Sequence, residues 1–129
     1  MSIHQEVTID ASPAAVYAVL TSSSDFAKMT GGRAAEIAAE VGGALSMFGG
    51  DIRGRIVELV PGKRIVQAWR SLAWPDGVYS IVRFELTPDG KATKLVFDQA
   101  GYPEGAEKML EGGWHQMYWQ PMNAMLAGR

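Results

Sequence analysis

Apolar and polar positions alternate from the start of the chain. Ile3, Gln5, Val7 and Ile9 fall on one side of residues 3–9, and His4, Glu6 and Thr8 on the other, which is the period of a half-buried strand. Asp10-Ala11-Ser12-Pro13 ends it. Ser12 suits a helix N-cap and Pro13 the first helical position, so a helix is predicted from Pro13 with Val16, Tyr17 and Leu20 on one face. Thr21-Ser22-Ser23-Ser24 closes that helix, and a shorter helical turn over 25–29 stops before Gly31. From Arg33 the pattern is strand throughout, with candidates at 33–39, 44–48, 52–60, 63–71, 78–87 and 92–100. After Pro103 the period becomes helical. Leu110, Trp114, Met117, Tyr118, Pro121 and Met125 fall within roughly a 100° sector, and Trp119 lies nearly opposite its centre. Pro121 inside this long helix predicts a kink near Tyr118.

Two hairpins follow from the turns. With Pro61-Gly62 as the turn, Gly54 faces Trp69 and Ile56 faces Gln67 on one side of the sheet, while Arg53 faces Arg70 and Val57 faces Val66 on the other. A glycine opposite a tryptophan leaves room for the indole to lie across the sheet. The same register places Glu58 on the apolar face near the turn, either as a cavity carboxylate or as a rim residue paired with Lys63. With Asp89-Gly90 as the second turn, Phe84 pairs with Leu95 and Val82 with Phe97 on the apolar face. Arg83, Glu85, Lys94 and Asp98 then share the opposite face. The predicted fold is α+β: a curved antiparallel sheet of about six or seven strands around a long C-terminal helix, with one or two short helices after the first strand.

Composition narrows the function. A length of 129 residues predicts a single domain over 1–129, large enough for one core. The chain has no cysteine, which removes disulfides, thiolate metal sites and cysteine nucleophiles. A net charge of −2 lacks the basic footprint of a nucleic-acid binder. No stretch approaches a membrane span and residues 1–6 do not read as a signal peptide, so a cytoplasmic protein is expected. Enzyme signatures are thin. The two histidines, His4 and His115, lie at opposite ends of the chain, and neither a catalytic pair, a metal site nor an organic cofactor is expected. His115 is the natural proton-transfer group if chemistry occurs.

Arg53, Arg55, Arg64, Arg70 and Arg83 fall on the convex face of adjacent strands. Facing like charges destabilise a sheet, so Arg53 and Arg70 require compensation, for which Glu85, Asp98 and Asp51 are available. The alternative use of Arg53, Arg55, Arg70 and Arg83 is a docking patch for an acidic partner, anchored by Phe48, Trp74 or Tyr79.

Several motifs in order carry a family resemblance. They are Leu45-Ser46-Met47-Phe48-Gly49-Gly50-Asp51-Ile52-Arg53-Gly54, Glu58-Leu59-Val60-Pro61, and Lys63-Arg64-Ile65-Val66-Gln67-Ala68-Trp69-Arg70. Trp74-Pro75-Asp76-Gly77 and Gly113-Trp114-His115-Gln116-Met117-Tyr118-Trp119-Gln120-Pro121 complete the set. Together they closely resemble the C-terminal domain of the activator of the heat-shock-protein-90 ATPase, within the START-like, birch-pollen-allergen-like (SRPBCC) superfamily. The resemblance implies a helix-grip fold around an apolar cavity. It also implies a chaperone as a possible partner. The eukaryotic activators carry a separate N-terminal domain with an Asn-rich, Trp-containing motif important for stimulation, whereas Asn123 is the only asparagine here. Full stimulation of the ATPase is therefore not expected, and chaperone binding through the shared domain stays open.

The leading expectation is a stand-alone binder of a small apolar ligand, monomeric or homodimeric. Its cavity candidates are Met47, Ile56, Gln67, Trp69, Val82, Phe84, Phe97, Trp114, Met117 and Tyr118, with Ile65 and Leu95 also facing inward. Gln67, Glu58 and the Tyr118 hydroxyl would orient a polar end. A chaperone-associated module using the arginine face is the second reading. An enzyme of the cyclase or hydrolase kind using His115 and Tyr118 is the third. An exposed Trp119 or Trp74 would mark a dimer interface.

Overall fold

A computed structural model describes residues 2–127. Seven strands form one antiparallel sheet: β1 (Ser2–Ile9), β2 (Glu36–Ile37), β3 (Ala44–Met47), β4 (Ile52–Val60), β5 (Arg64–Ser71), β6 (Ser80–Asp89) and β7 (Ala92–Ala100). Their order across the sheet is β1-β7-β6-β5-β4-β3-β2, so the first strand closes against the last. Helices α1 (Pro13–Thr21) and α2 (Ser23–Met29) follow β1, and α3 (Glu107–Trp114) and α4 (Gln120–Leu126) end the chain. The predicted architecture is the observed one.

Local chemistry explains the helix starts. The Ser12 hydroxyl accepts a hydrogen bond from the Ala15 N–H, with Pro13 opening α1. The Ser22 hydroxyl does the same for the Asp25 N–H, so the serine run both ends α1 and starts α2, which begins two residues earlier than predicted. Val16, Val19 and Leu20 are the buried residues of α1, while Tyr17 is half-buried.

The β4–β5 hairpin keeps the predicted pairs Gly54–Trp69, Ile56–Gln67 and Arg53–Arg70, but a β-bulge at Val57 changes the register beyond them. Lys63 donates its N–H to the Val60 carbonyl, so three residues, not two, separate the paired Val60 and Arg64. The extra residue in β4 absorbs the difference, and Val66 pairs with Glu58 instead of Val57. This corrects the position of Glu58. It stands exposed on the convex face, where its carboxylate accepts from Arg64 Nε at 2.7 Å and not from Lys63. The role of Gly54 also changes. A Cβ there would lie 1.8 Å from the Ala68 carbonyl oxygen, so the glycine is needed for close backbone approach, not for room around the indole.

The β6–β7 hairpin is displaced by two residues from expectation. Asp89 pairs with Ala92, making Gly90-Lys91 the turn, and Phe84 faces Phe97 while Leu86 faces Leu95. Gly90 has φ 62°, which fits the first central position of a type II′ turn. A shift of two residues leaves every side chain on its predicted face. Val82, Phe84, Leu95 and Phe97 are buried, and Arg83, Glu85, Lys94 and Asp98 line the other side.

The C-terminal helix is interrupted by one π-helical turn, His115–Trp119, between α3 and α4. Gln120 donates its N–H to the His115 carbonyl, five residues back, just ahead of Pro121, which has no N–H to donate. The wide turn rotates the helix face relative to an ideal wheel. Trp114, Tyr118, Trp119, Met122 and Leu126 are buried, while Met117 moves to 42 % exposure. Trp119, expected opposite the core, instead lies inside it and donates Nε1–H to Gln5 Oε1 at 2.7 Å. It is therefore no marker of a dimer interface.

Candidate functional site

The middle of the sheet–helix interface is filled. Trp114 lies 4.1 Å from Phe97, 4.3 Å from Tyr118 and 5.2 Å from Trp69, ring centre to ring centre. Phe84 and Trp119 pack on the same cluster. Its polar atoms are matched internally: Trp114 Nε1–H donates to Gln99 Oε1 at 2.8 Å, Gln99 Nε2–H to Ser80 Oγ at 3.0 Å, and Ser80 O–H to the Trp69 carbonyl at 2.8 Å. This chain ties α3 across β7 and β6 to β5.

Open space remains at one end. A groove of about 450 Å³ runs between β5, the start of β4, the loop after β5, and α3 with the π turn. Trp69, Ile52, Phe48 and Trp74 form one wall, and Ala106, Met109, Leu110, Gly113, Trp114, Met117 and Tyr118 the other. Its volume is that of a small-molecule site, and its walls are mainly apolar. Met109, at 83 % exposure, stands at its open side.

Three local features shape this groove. Arg70 donates from Nη2 to the carbonyls of Trp74 and Pro75, and from Nε to that of Val78, so its guanidinium holds the loop that carries Trp74. Phe48 has φ 55°, a strained conformation for a bulky residue. Its carbonyl accepts from Arg33 Nη2 at 2.8 Å, and Arg33 Nη2 also donates to Asp51 Oδ2 at 2.9 Å. The π turn places Tyr118 against Phe26 and Phe48 and sets Met117 on the groove.

Of the ten cavity candidates, Trp69, Trp114, Met117 and Tyr118 line the groove. Met47, Ile56, Gln67, Val82, Phe84 and Phe97 are buried elsewhere in the core, because aromatic rings fill the centre of the interface. Sequence reasoning did not assign Arg33, Asp51, Ile52, Met109, Leu110 or Gly113 to a site. The sequence points to Phe48 and Trp74 as anchors for a convex surface, and to Trp74 also as a dimer marker, but to neither as part of a cavity. Tyr118 is buried, which pushes its hydroxyl well above the ordinary value of 10.0, and Trp69 Nε1–H points to its oxygen at 3.5 Å. It therefore keeps its proton near neutral pH. His115 is exposed and outside the groove wall. The two do not form a proton-transfer pair.

The arginines of the convex face are compensated, partly by unexpected groups. Arg53 Nε donates to the Gly50 carbonyl, Arg55 Nη1 to the Gly42 carbonyl, and Arg70 to the loop carbonyls named above. Arg83 instead meets carboxylates, Asp98 at 2.9 Å and Glu85 at 3.6 Å. Backbone oxygens, not side chains, thus relieve the facing pair Arg53–Arg70.

A ladder of alternating charge continues across the sheet to His4. Its Nδ1 meets Asp98 at 2.7 Å and its Nε2 meets Glu6 at 2.9 Å. Only the imidazolium can donate from both nitrogens. The hydrogen bonds to Glu6 and then Asp98 hold the His4 pKa above the ordinary 6.5. His4 and then Lys94 hold Glu6 below its ordinary 4.5. Burial raises Asp98, but hydrogen bonds from His4 and Arg83 outweigh it and leave the group below 3.8. The His4 contribution is fully present below pH 6.5 and is lost as pH rises through its folded value, whereas the carboxylate contributions are lost as pH falls through theirs. Melting temperatures of wild type and His4→Gln should therefore differ near pH ~5.5 and converge near pH ~9. An equal difference at both would rule out His4 as the titrating group.

The family model described as "Activator of Hsp90 ATPase homolog 1-like protein" matches residues 10–127. The chain belongs to this family. It is 33% identical over 92 residues to the activator of 90 kDa heat shock protein ATPase homolog 2 of Mus musculus, covering 71% of this chain and 28% of that protein. To the Homo sapiens homolog 1 it is 30% identical over 86 residues, covering 67% of this chain and 25% of that protein. The chain thus matches about a quarter of the length of these curated members. Among solved structures, an HSP90 activator from Plasmodium falciparum superposes with a TM-score of 0.92 at 25% identity, covering 98% of this chain and 96% of that one. Among the described residues of this family member, no helix is long and apolar enough to cross a membrane.

Proposed function

We propose that this protein binds a small apolar molecule in the groove between the sheet and the first half of its C-terminal helix, α3 with the π turn. The observation that carries the reading is the groove itself: about 450 Å³ walled by Trp69, Trp74, Trp114, Phe48, Leu110 and Met117, next to an aromatic core too well filled to close over it. Such walls offer a guest apolar burial at about 25 cal/mol per Å². Methionine side chains at the open side adapt to guests of different shape. Thermal-shift and native mass-spectrometry screens against fatty acids, sterols and aromatic polyketides test it. Stabilisation by at least one class with a one-to-one complex is expected. A flat screen with no co-purifying ligand would count against the groove as a binding site.

Family membership favours a second reading, a module that contacts a heat-shock-protein-90 chaperone in the cytoplasm. The convex arginines Arg53, Arg55, Arg70 and Arg83 are its proposed surface. Because Arg70 holds the Trp74 loop, the cleaner test uses Arg53→Glu and Arg55→Glu. Capture by the purified chaperone at low salt, weakened in both variants, is the expected result, and no capture of wild type would end this reading.

A further inference from the structure

The groove is mainly apolar, and its charge is confined to one place. Among the described residues that line it, Arg33 and Asp51 alone carry charge, and they are hydrogen-bonded to each other. Resting on the reading that the groove holds a guest, we infer that its guest is an amphipathic anion, an alkyl chain ending in a carboxylate, whose head takes the place of Asp51 on Arg33.

The two partners are held very differently. The Arg33 guanidinium lies 5.4 Å from the centre of the Phe48 ring and donates to the Phe48 carbonyl. Ring and carbonyl both belong to the groove wall, so the cation is positioned before any ligand arrives. Asp51, by contrast, has a side chain that is 73 % exposed, against 42 % for Arg33. A guanidinium carries five N–H donors in a fixed fork. Both hydrogen bonds of Arg33 leave from Nη2, so donors on Nε and Nη1 face no acceptor among the described residues. A carboxylate can engage such a fork through both oxygens. Asp51 contributes one oxygen at 2.9 Å and extends toward water, so exchanging it for a ligand carboxylate costs little desolvation. The alkyl chain would then lie along Ile52, Trp69, Trp114 and Met117. A cationic head would gain only the solvated Asp51 while facing the fixed guanidinium.

Isothermal titration of the whole chain with decanoate, decanol and decylamine at neutral pH tests this. Decanoate should bind about tenfold more tightly than decanol, the scale of one charge-assisted pair at a partly solvated site, and decylamine should bind more weakly than either. Asp51→Asn, which frees the guanidinium, should raise the preference for decanoate over decanol. Arg33→Gln should abolish that preference, and Arg33→Lys should retain part of it. Melting curves report whether each variant is folded; if Arg33→Gln is not, the Asp51→Asn and Arg33→Lys results decide. Equal binding of decanoate and decanol, or a preference that survives in Arg33→Gln, overturns the anionic head while leaving the groove as an apolar site. Failure of all three ligands overturns the groove reading and this inference with it.

Discussion

Trp114→Ala is expected to destabilise the fold by about 3–5 kcal/mol, the range for removing a fully buried tryptophan. The indole touches the rings of Trp69, Phe84, Phe97, Tyr118 and Trp119, so no single neighbour can collapse into the space it leaves. Its N–H is also the partner of Gln99 Oε1, and a buried acceptor left without a donor costs a further ~1–3 kcal/mol. Chemical denaturation separates the two effects. Trp114→Phe keeps much of the packing and orphans Gln99, so it should fall between wild type and Trp114→Ala, and adding Gln99→Leu should recover part of its loss. A loss below about 1 kcal/mol for Trp114→Ala would mean that the aromatic cluster does not hold helix and sheet together.

Gly54→Ala is the second large effect, although it adds only one methyl group. The new carbon would lie 1.8 Å from the Ala68 carbonyl oxygen, 2.9 Å from its carbon and 3.3 Å from the Trp69 Cα. All three are backbone atoms of β5, so no side chain can turn aside. β4 and β5 must separate locally, and about 2–4 kcal/mol is the expected loss. Faster amide exchange confined to the β4–β5 hairpin would locate the damage. Wild-type stability in this variant would show that the strands approach less closely than described.

These two residues show how legibility varied along the chain. Trp114 was readable because helical period and burial coincide in α3. Pairing of Gly54 with Trp69 was readable from the turn, yet its cause was not, because backbone approach leaves no trace in a hydrophobic pattern. The bulge at Val57 depends on whether two or three residues close the turn after Val60, a choice that alternation cannot decide. Between β6 and β7 the expected and actual registers differ by two residues and bury the same side chains, so patterning cannot separate them. Pro121 announced a disturbance in the last helix, but the π turn it accompanies decided that Trp119 faces inward and Met117 outward.

The site was legible only in its regular elements. Trp69, Trp114 and Tyr118 come from strand and helix periods. Phe48, Asp51 and Trp74 come from turns, where periodicity is silent, and Arg33 follows a glycine pair that gives no hint of the Phe48 ring beside it. Aromatic residues standing within turn segments, as Phe48 beside Gly49-Gly50 and Trp74 before Pro75 do, were the available signal.

On the proposed reading the groove, not the filled core, receives a guest. Gly113 lies in the groove wall, and a Cβ added there meets nothing within 4 Å. Gly113→Leu should therefore fill the groove while improving helix propensity by up to ~1 kcal/mol. The deciding measurement is a calorimetric titration of decanol into wild type and into Gly113→Leu, with melting curves for both. Saturable binding to wild type, lost in a variant at least as stable, is the predicted result; equal binding to both, or none to wild type, would contradict the account.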